Sequence, residues 1–301
     1  MLGTTWRRSG GANDPLFAKL MQERSLTSVP LLAGLSEDQK KYLAQVRALG
    51  ASRNGPVNPQ RVTVSDVEAM TEQVKQRARE FGADLVGVAK LRPIHIDLGV
   101  ELMHENIIAI GVHEDYEAVL EGGEAVETEA YKAYYYVALI ANQVAASIRD
   151  LGYEALAHHN GGGEIQALPA LHDAGLGELG RHGSLINPTY GASFRPSFVT
   201  TDLPLEADQR LVFGVQDYCP NCRLCMNNCP GDAIPQDFVL TDGVKRWLTN
   251  IEKCYPYSRL STDYCHLCVD VCPYNARAHK NPYRAFMQTR KVEGYRTPRH
   301  Q

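Results

Sequence analysis

The stretch Cys219-Pro-Asn-Cys-Arg-Leu-Cys-Met-Asn-Asn-Cys-Pro230 holds four of the chain's eight cysteines. The others are Cys254, Cys265, Cys268 and Cys272, followed by Pro273, so all eight thiols fall within 54 residues. The first run reads C-x2-C-x2-C-x3-C-P, a ligand run for cubane iron–sulfur clusters. The second keeps the C-x2-C-x3-C-P end and moves its first ligand upstream to Cys254. A turn places three sulfurs on one cluster, and the fourth cysteine, turned away by its proline, reaches the neighbouring cluster. Crossed pairing thus assigns Cys219, Cys222, Cys225 and Cys272 to one [4Fe–4S] cluster. Cys229, Cys254, Cys265 and Cys268 go to the other, and every thiol is used. Two zinc sites or a disulfide framework are the competing readings. Zinc sites usually pair two short knuckles and rarely end in Cys-Pro, and disulfides are rare without export.

Two adjacent clusters pass single electrons. The remaining residues, more than two hundred of the 301, must hold an electron acceptor or a partner. Hydrophobic residues make up 44% and charged residues 22%, ordinary for a globular protein long enough for two domains. Thirty-one Lys and Arg against 35 Asp and Glu give a net charge of −4, so no global basic field draws in nucleic acid. One basic tail, from Arg277 on, reads as solvated chain. No run of eighteen apolar residues occurs, so no membrane span is expected. Arg7-Arg8 is followed by SGGANDPLF rather than an apolar segment, so no export signal is read and a cytoplasmic location is expected.

The elements that must position this chemistry lie upstream. Residues 1–60 are polar and broken by Gly and Pro, an N-terminal arm with one helix over Ser36–Leu49 opened by the capping box Ser36-Glu-Asp-Gln39. A helix is predicted from Ser65 or Asp66 to about Phe81, ended by Gly82. Ala83–Ala89 and Asn106–Val112 read as buried strands, and a long helix runs from about Glu127 to Leu151 with Gly152 as its C-cap. Alternation of helices with continuous apolar strands points to an α/β core. The turn His158-His-Asn-Gly-Gly-Gly163 fits no nucleotide motif, yet three glycines let backbone run close against something flat and large. Gly175–Leu205 reads as a long irregular segment. Such a loop is more often functional than idle.

YCPNCRLCMNNCPGDAIP, Cys254-Tyr-Pro-Tyr257 and CHLCVDVCPYN275 resemble the iron–sulfur module shared by reductive dehalogenases and epoxyqueuosine reductase. Ala174–Arg181, Ile186–Gly191 and Val199–Leu205 are similar to the segment before the clusters in reductive dehalogenases. The likeness covers roughly residues 65–280 and is densest over 170–275.

The resemblance implies an α+β fold: a nitroreductase-like, cobalamin- and substrate-binding domain over residues 61–210, then a ferredoxin-like two-cluster domain over 211–283 and a basic tail over 284–301. It also implies two [4Fe–4S] clusters and a base-off cobalamin as cofactors. No D-x-H-x-x-G corrinoid motif occurs. His172-Asp-Ala-Gly175 has its second half, but Ala170 stands where the Asp would be, and His172 itself reads as a helix-surface residue. Among Tyr131, Tyr134, Tyr135 and Tyr136, the resemblance makes Tyr134 the candidate proton donor. Arg195 is the cation beside it, and Asn160 helps hold the substrate. Gly161, Gly162, Gly163, Tyr190, Thr201 and Asp202 are expected against the corrinoid. The partners implied are a small organic substrate, with organohalides included, and an external donor such as a ferredoxin or flavodoxin. A homodimer is left open. An epoxyqueuosine reductase acting on tRNA and a non-catalytic electron carrier are the alternatives. The chain stops 29 residues after Cys272, short of the C-terminal helical repeats by which epoxyqueuosine reductases bind tRNA.

Overall fold

The computed structural model describes residues 35–121, 123–160, 162–258 and 265–275. The first part of the arm, Gly161 and the basic tail lie outside the described residues. Ser36 caps helix α1 (Glu37–Leu49), and the expected capping box forms with both bonds present. Gln39 is buried and donates to Glu124 O and Thr128 Oγ1. The helical part of the arm is thereby docked on the long helix that carries Glu124 and Thr128.

Helix α2 (Val67–Glu80) starts at Asp66, whose carboxylate accepts from Ala69 N. Strand β1 (Leu85–Lys90) leads to β2 (Asn106–His113), helix α3 (Tyr116–Glu121) and the long helix α4 (Gly123–Asp150). Strand β3 (Ala155–His158) and helix α5 (Ala167–Asp173) follow, then the short pair β4 (Glu178–Leu179) and β5 (Leu185–Ile186), and β6 (Phe194–Thr201). The main sheet runs β1-β2-β6-β3 and every pairing in it is antiparallel. This corrects the alternating α/β expectation in favour of α+β. The apolar run in β2 reflects two covered faces, not parallel neighbours. Ile108 and Ile110 pack toward α2 and α4 with Val74, Val137 and Val144. Ile107 and Ala109 pack toward α5 with Ala170 and Leu171. Burying each of the branched side chains is worth about 1.5–3 kcal/mol.

A second correction concerns Gly175–Leu205, which carries three strands rather than irregular chain. One of them, β6, is an inner strand of the main sheet. Pro196 and Arg195 hide it from propensity. Pro196 brings no N–H to a ladder and is tolerated because β3 pairs only with residues 198–201, leaving Pro196 beyond its end.

The cysteine-bearing part is built from α6 (Val215–Cys222), α7 (Leu224–Asn227), the hairpin β7 (Val239–Thr241) and β8 (Val244–Arg246), α8 (Ile251–Ser258) and α9 (Leu267–Asp270). Ile186, Val215, Cys219, Trp247 and Cys272 share one buried cluster, so it packs directly on the β4–β5 region. His172 is buried, not on the helix surface. Its neighbour Asp173 accepts from His95 Nε2 (2.7 Å), Arg210 Nε (2.8 Å) and Arg92. Burial works against the carboxylate, but His172 3.8 Å away and the hydrogen bonds from His95 and Arg210 hold it well below the usual carboxylate range. Arg92 and Arg210 also reach Asp242 in the β7–β8 turn and tie that hairpin to α5.

Candidate functional site

The thiols are positioned first by Glu178. Its Oε2 accepts from the backbone of Phe213 (2.6 Å), Gly214 (2.7 Å) and Val215 (3.1 Å), capping α6 with a carboxylate. Arg223 adopts a left-handed φ of 56° between α6 and α7, and this kink turns Cys225 back toward Cys219 and Cys222. Those three and Cys272 line one pocket, with Arg181, His182, Tyr218 and Tyr274 in its wall. Burial pushes the Cys219 thiol up to about 12 and raises Cys222, Cys225 and Cys272 as well. The cavity therefore disfavours bare thiolates, and sulfur takes its charge there together with iron. Burial raises the Cys265 thiol, with the charges of Cys254 and Cys229 adding to it, and the expected crossed pairing puts these three in a second group. Cys229 Sγ accepts from Ala233 N at 3.3 Å. This second group is half-exposed, as is Cys268. Four soft donors around one enclosed space suit an iron–sulfur cluster.

The second cysteine run is stapled to the main sheet. Asn275 Oδ1 accepts from Ala192 N (3.1 Å) and its Nδ2 donates to Ser193 Oγ (3.0 Å). Gly191 makes the approach feasible. Its φ is +58°, and a Cβ there would sit 2.3 Å from Asn275 Oδ1. The turn is held from inside by Asn187, whose Nδ2 donates to Leu176 O and whose Oδ1 accepts from Thr189 N. From this seam the contacts continue inward. Glu114 N donates to Ser193 O at 2.9 Å. Glu114, with its side chain 1% exposed, receives Arg195 Nε at 2.8 Å. Arg195 Nη1 donates to Tyr134 Oη at 3.2 Å, and its guanidinium carbon lies 5.1 Å from the Tyr134 ring centre. Tyr131 meets Tyr134 edge-on.

The structure thus brings Tyr134 and Arg195 together, with Glu114 as the third member. Sequence reasoning missed Glu114, because a lone Glu after a strand carries no motif. Tyr190 lies at the same end of the sheet, its ring stacked on His113 at 5.1 Å, and burial followed by the Asp84 charge raises its phenol above the usual value. Thr201 and Asp202 are at the other end of β6, roughly 23 Å away at 3.3 Å per residue. Thr201 is fully buried, its hydroxyl donating to Glu154 O and accepting from Leu203 N. Asp202 accepts from Glu105 N. Asn160 and Gly162 are half-buried or exposed in the turn after β3, and Gly163 has φ +72°. Gly161 lies outside the described residues. Beside this turn His158 is bonded to Glu164 and Thr200, and His159 Nε2 to Asn142 Oδ1.

The profile of the 4Fe-4S dicluster domain matches residues 218–276. The tetrachloroethene reductive dehalogenase of Sulfurospirillum multivorans is 30% identical over 258 residues, covering 70% of this chain and 51% of that one. A solved reductive dehalogenase, described with a mechanism for B12-dependent dehalogenation, superposes with a TM-score of 0.71 at 29% identity over 82% of this chain and 38% of that one. The epoxyqueuosine reductase of Leadbetterella byssophila is 30% identical over 138 residues, 40% of this chain and 41% of the relative. The chain spans about half the length, or less, of these relatives. No helix among the described residues is long and apolar enough to cross a membrane. With a dicluster domain packed against an α+β sheet shared with solved dehalogenases, the chain is similar to reductive dehalogenases over most of its length and to epoxyqueuosine reductases over a shorter part.

Proposed function

We propose that this chain is the redox core of a cobalamin-dependent reductase of the reductive-dehalogenase type, acting on a small organic molecule with organohalides in its range. The observation that carries the reading is the continuous contact path from the thiol cavity through Asn275, Ser193 and Glu114 to the Arg195–Tyr134 pair. An electron carrier has no use for a phenol held against a guanidinium at the end of such a path. On this reading residues 61–210 form the nitroreductase-like cobalamin and substrate domain, 211–283 the ferredoxin-like domain, 1–60 an arm and 284–301 a basic tail. Cys219, Cys222, Cys225 and Cys272 hold one cluster and Cys229, Cys254, Cys265 and Cys268 the other. An external donor of the ferredoxin or flavodoxin class supplies the electrons, and the protein works in the cytoplasm.

A corrinoid, when bound, supplies the cobalt centre that meets the substrate and takes electrons from the clusters. On this reading the glycine turn faces the flat ligand. A Cβ on Gly162 would approach His159 O at 3.1 Å and otherwise find space. The chain's own residues handle the proton. Because Arg195 donates to Tyr134 Oη, the phenolic proton is directed away from Arg195 and toward another acceptor. Once the proton leaves, the guanidinium faces the negative oxygen and stabilises it. Glu114 fixes the guanidinium in that pose. Asn160 and Tyr190 complete the proposed substrate and cofactor contacts; Thr201, buried with its hydroxyl spent, and Asp202, at the far end of β6, are left out of them.

The test is anaerobic reconstitution with iron, sulfide and cobalamin, followed by EPR and turnover assays with a chemical reductant. Retained cob(II)alamin beside the cluster signals, with reduction of a halogenated phenol or alkene, is the expected outcome. Clusters without any retained corrinoid would leave an electron carrier. Turnover of modified tRNA alone would move the assignment to the epoxyqueuosine reductases.

A further inference from the structure

Arg181 is only 2% exposed, and it lies in the wall of the cavity formed by Cys219, Cys222, Cys225 and Cys272. Its guanidinium donors are spent on neutral carbonyls: Cys219 O (3.1 Å), Pro220 O (3.3 Å), Pro235 O (3.0 Å) and Gln236 O (2.8 Å). Its face covers the Trp247 ring at 4.8 Å. It forms no ion pair with a carboxylate among the described residues. Glu178, three residues earlier, is committed to the α6 N-terminus. A charge buried this deeply is costly unless an opposite charge lies near it. The groups that can carry that charge are the thiols: Arg181 N donates to Cys219 Sγ at 3.4 Å, and Cys225, Cys219 and Cys222 all act on the guanidinium. Four thiolates on a cubane carry a net negative charge, which grows by one when the cluster is reduced.

We propose that Arg181 is a positioning residue, the built-in counter-ion of the cluster held by Cys219, Cys222, Cys225 and Cys272, and that it raises the reduction potential of that cluster selectively. The inference rests on the crossed ligand assignment. Reduction adds one electron from an external one-electron donor to the cluster; no bond forms or breaks and no proton moves. The added charge is felt most where a cation is close and the surroundings are dry. The second thiol group sits in different surroundings. Cys265 has the negative Asp270 among the charges that act on it, and its group is half-exposed. Arg181 thus offsets the penalty that burial places on reducing the inner cluster and keeps it able to receive electrons from the outer one.

The experiment is an EPR-monitored potentiometric titration of the full chain, reconstituted anaerobically, as wild type, R181Q, R181K and C272S. C272S first identifies which signal belongs to the inner cluster. Loss of the signal from the Cys265 group instead would sink the ligand assignment and, with it, the proposal. R181Q is expected to shift the inner cluster's redox equilibrium at least tenfold toward the oxidised form, about 59 mV for one electron. R181K should fall between R181Q and wild type, and the outer cluster should stay put. Unmoved midpoints in R181Q, or a shift confined to the outer cluster, would overturn the proposal. If R181Q loads no iron, thermal unfolding of the iron-free proteins decides. An iron-free R181Q as stable as iron-free wild type supports a counter-ion, whereas a large loss of stability without iron makes Arg181 a structural clamp only.

Discussion

Two arginines define the two working ends of this molecule, and they are satisfied in opposite ways. Arg195 faces the Glu114 carboxylate and the Tyr134 oxygen, so its charge is balanced within the protein. Arg181 meets carbonyls, an indole face and thiols. One end is electrostatically complete by itself and holds the phenol to which the proposed function gives the proton. Among the described residues, the other has its counter-charge only in the sulfur ligands beside it. Between them runs the Gly191–Asn275 seam, where backbone meets side chain too closely for any larger residue.

The harshest way to break this contrast is C272S. It should empty the inner cavity while leaving the outer thiol group able to load, so iron falls from about eight to about four per chain. Iron analysis with EPR reads this directly, and loss of all iron would mean that the two ends of the cysteine region are not separable. Next is Y134F at the opposite end. Turnover should fall roughly 10²- to 10⁴-fold with iron and corrinoid content unchanged. An unaffected rate would remove Tyr134 from the proton path.

Gly191→Ala acts on the seam itself. A Cβ 2.3 Å from Asn275 Oδ1 and 2.8 Å from its Cα must push the Tyr274–Asn275 end away. The expected cost is about 1–3 kcal/mol of stability, measured by denaturant unfolding, with the inner cluster lost before the outer. Equal loss of both would show that the seam serves the whole fold rather than one end. The smallest effect belongs to His159. Burial, and then the Arg53 charge, hold its imidazole down at about 4. Its folded-state value lies below the unfolded one, so its contribution is present above pH 6.5 and is lost as pH falls toward 4. Solvent reaches this group, so the contribution should stay below ~1 kcal/mol. H159Q should flatten the stability profile of the protein between about pH 6.5 and 4.5, and an unchanged slope would place that acid sensitivity elsewhere.

Much of the chain could be read one residue at a time. The capping box at Ser36–Gln39, the ends of α2 and the apolar run of β2 are local features, and each lies where its own chemistry puts it. The same locality failed for β6. Pro196 and Arg195 look unlike an inner strand until the short reach of β3 is known. His172 looked exposed because helical spacing alone does not reveal that α5 is packed on the sheet and tied to Arg92 and Arg210. Thr201 and Tyr190, eleven positions apart in one segment, end at opposite ends of the sheet, as an extended strand requires.

By itself the amino-acid sequence supplied eight cysteines at the spacing of cluster ligands, the first helices and the apolar strands over 83–89 and 106–112. It could do so because a cubane site is built from turns a few residues long. Only the tertiary structure decided which thiols share an enclosed space, that Glu114 joins Arg195 and Tyr134, and that Arg181 is buried among carbonyls and thiols. Those facts depend on antiparallel pairing that sets residues 114, 134 and 195 side by side, and on how much water that packing excludes. No short stretch of residues encodes either.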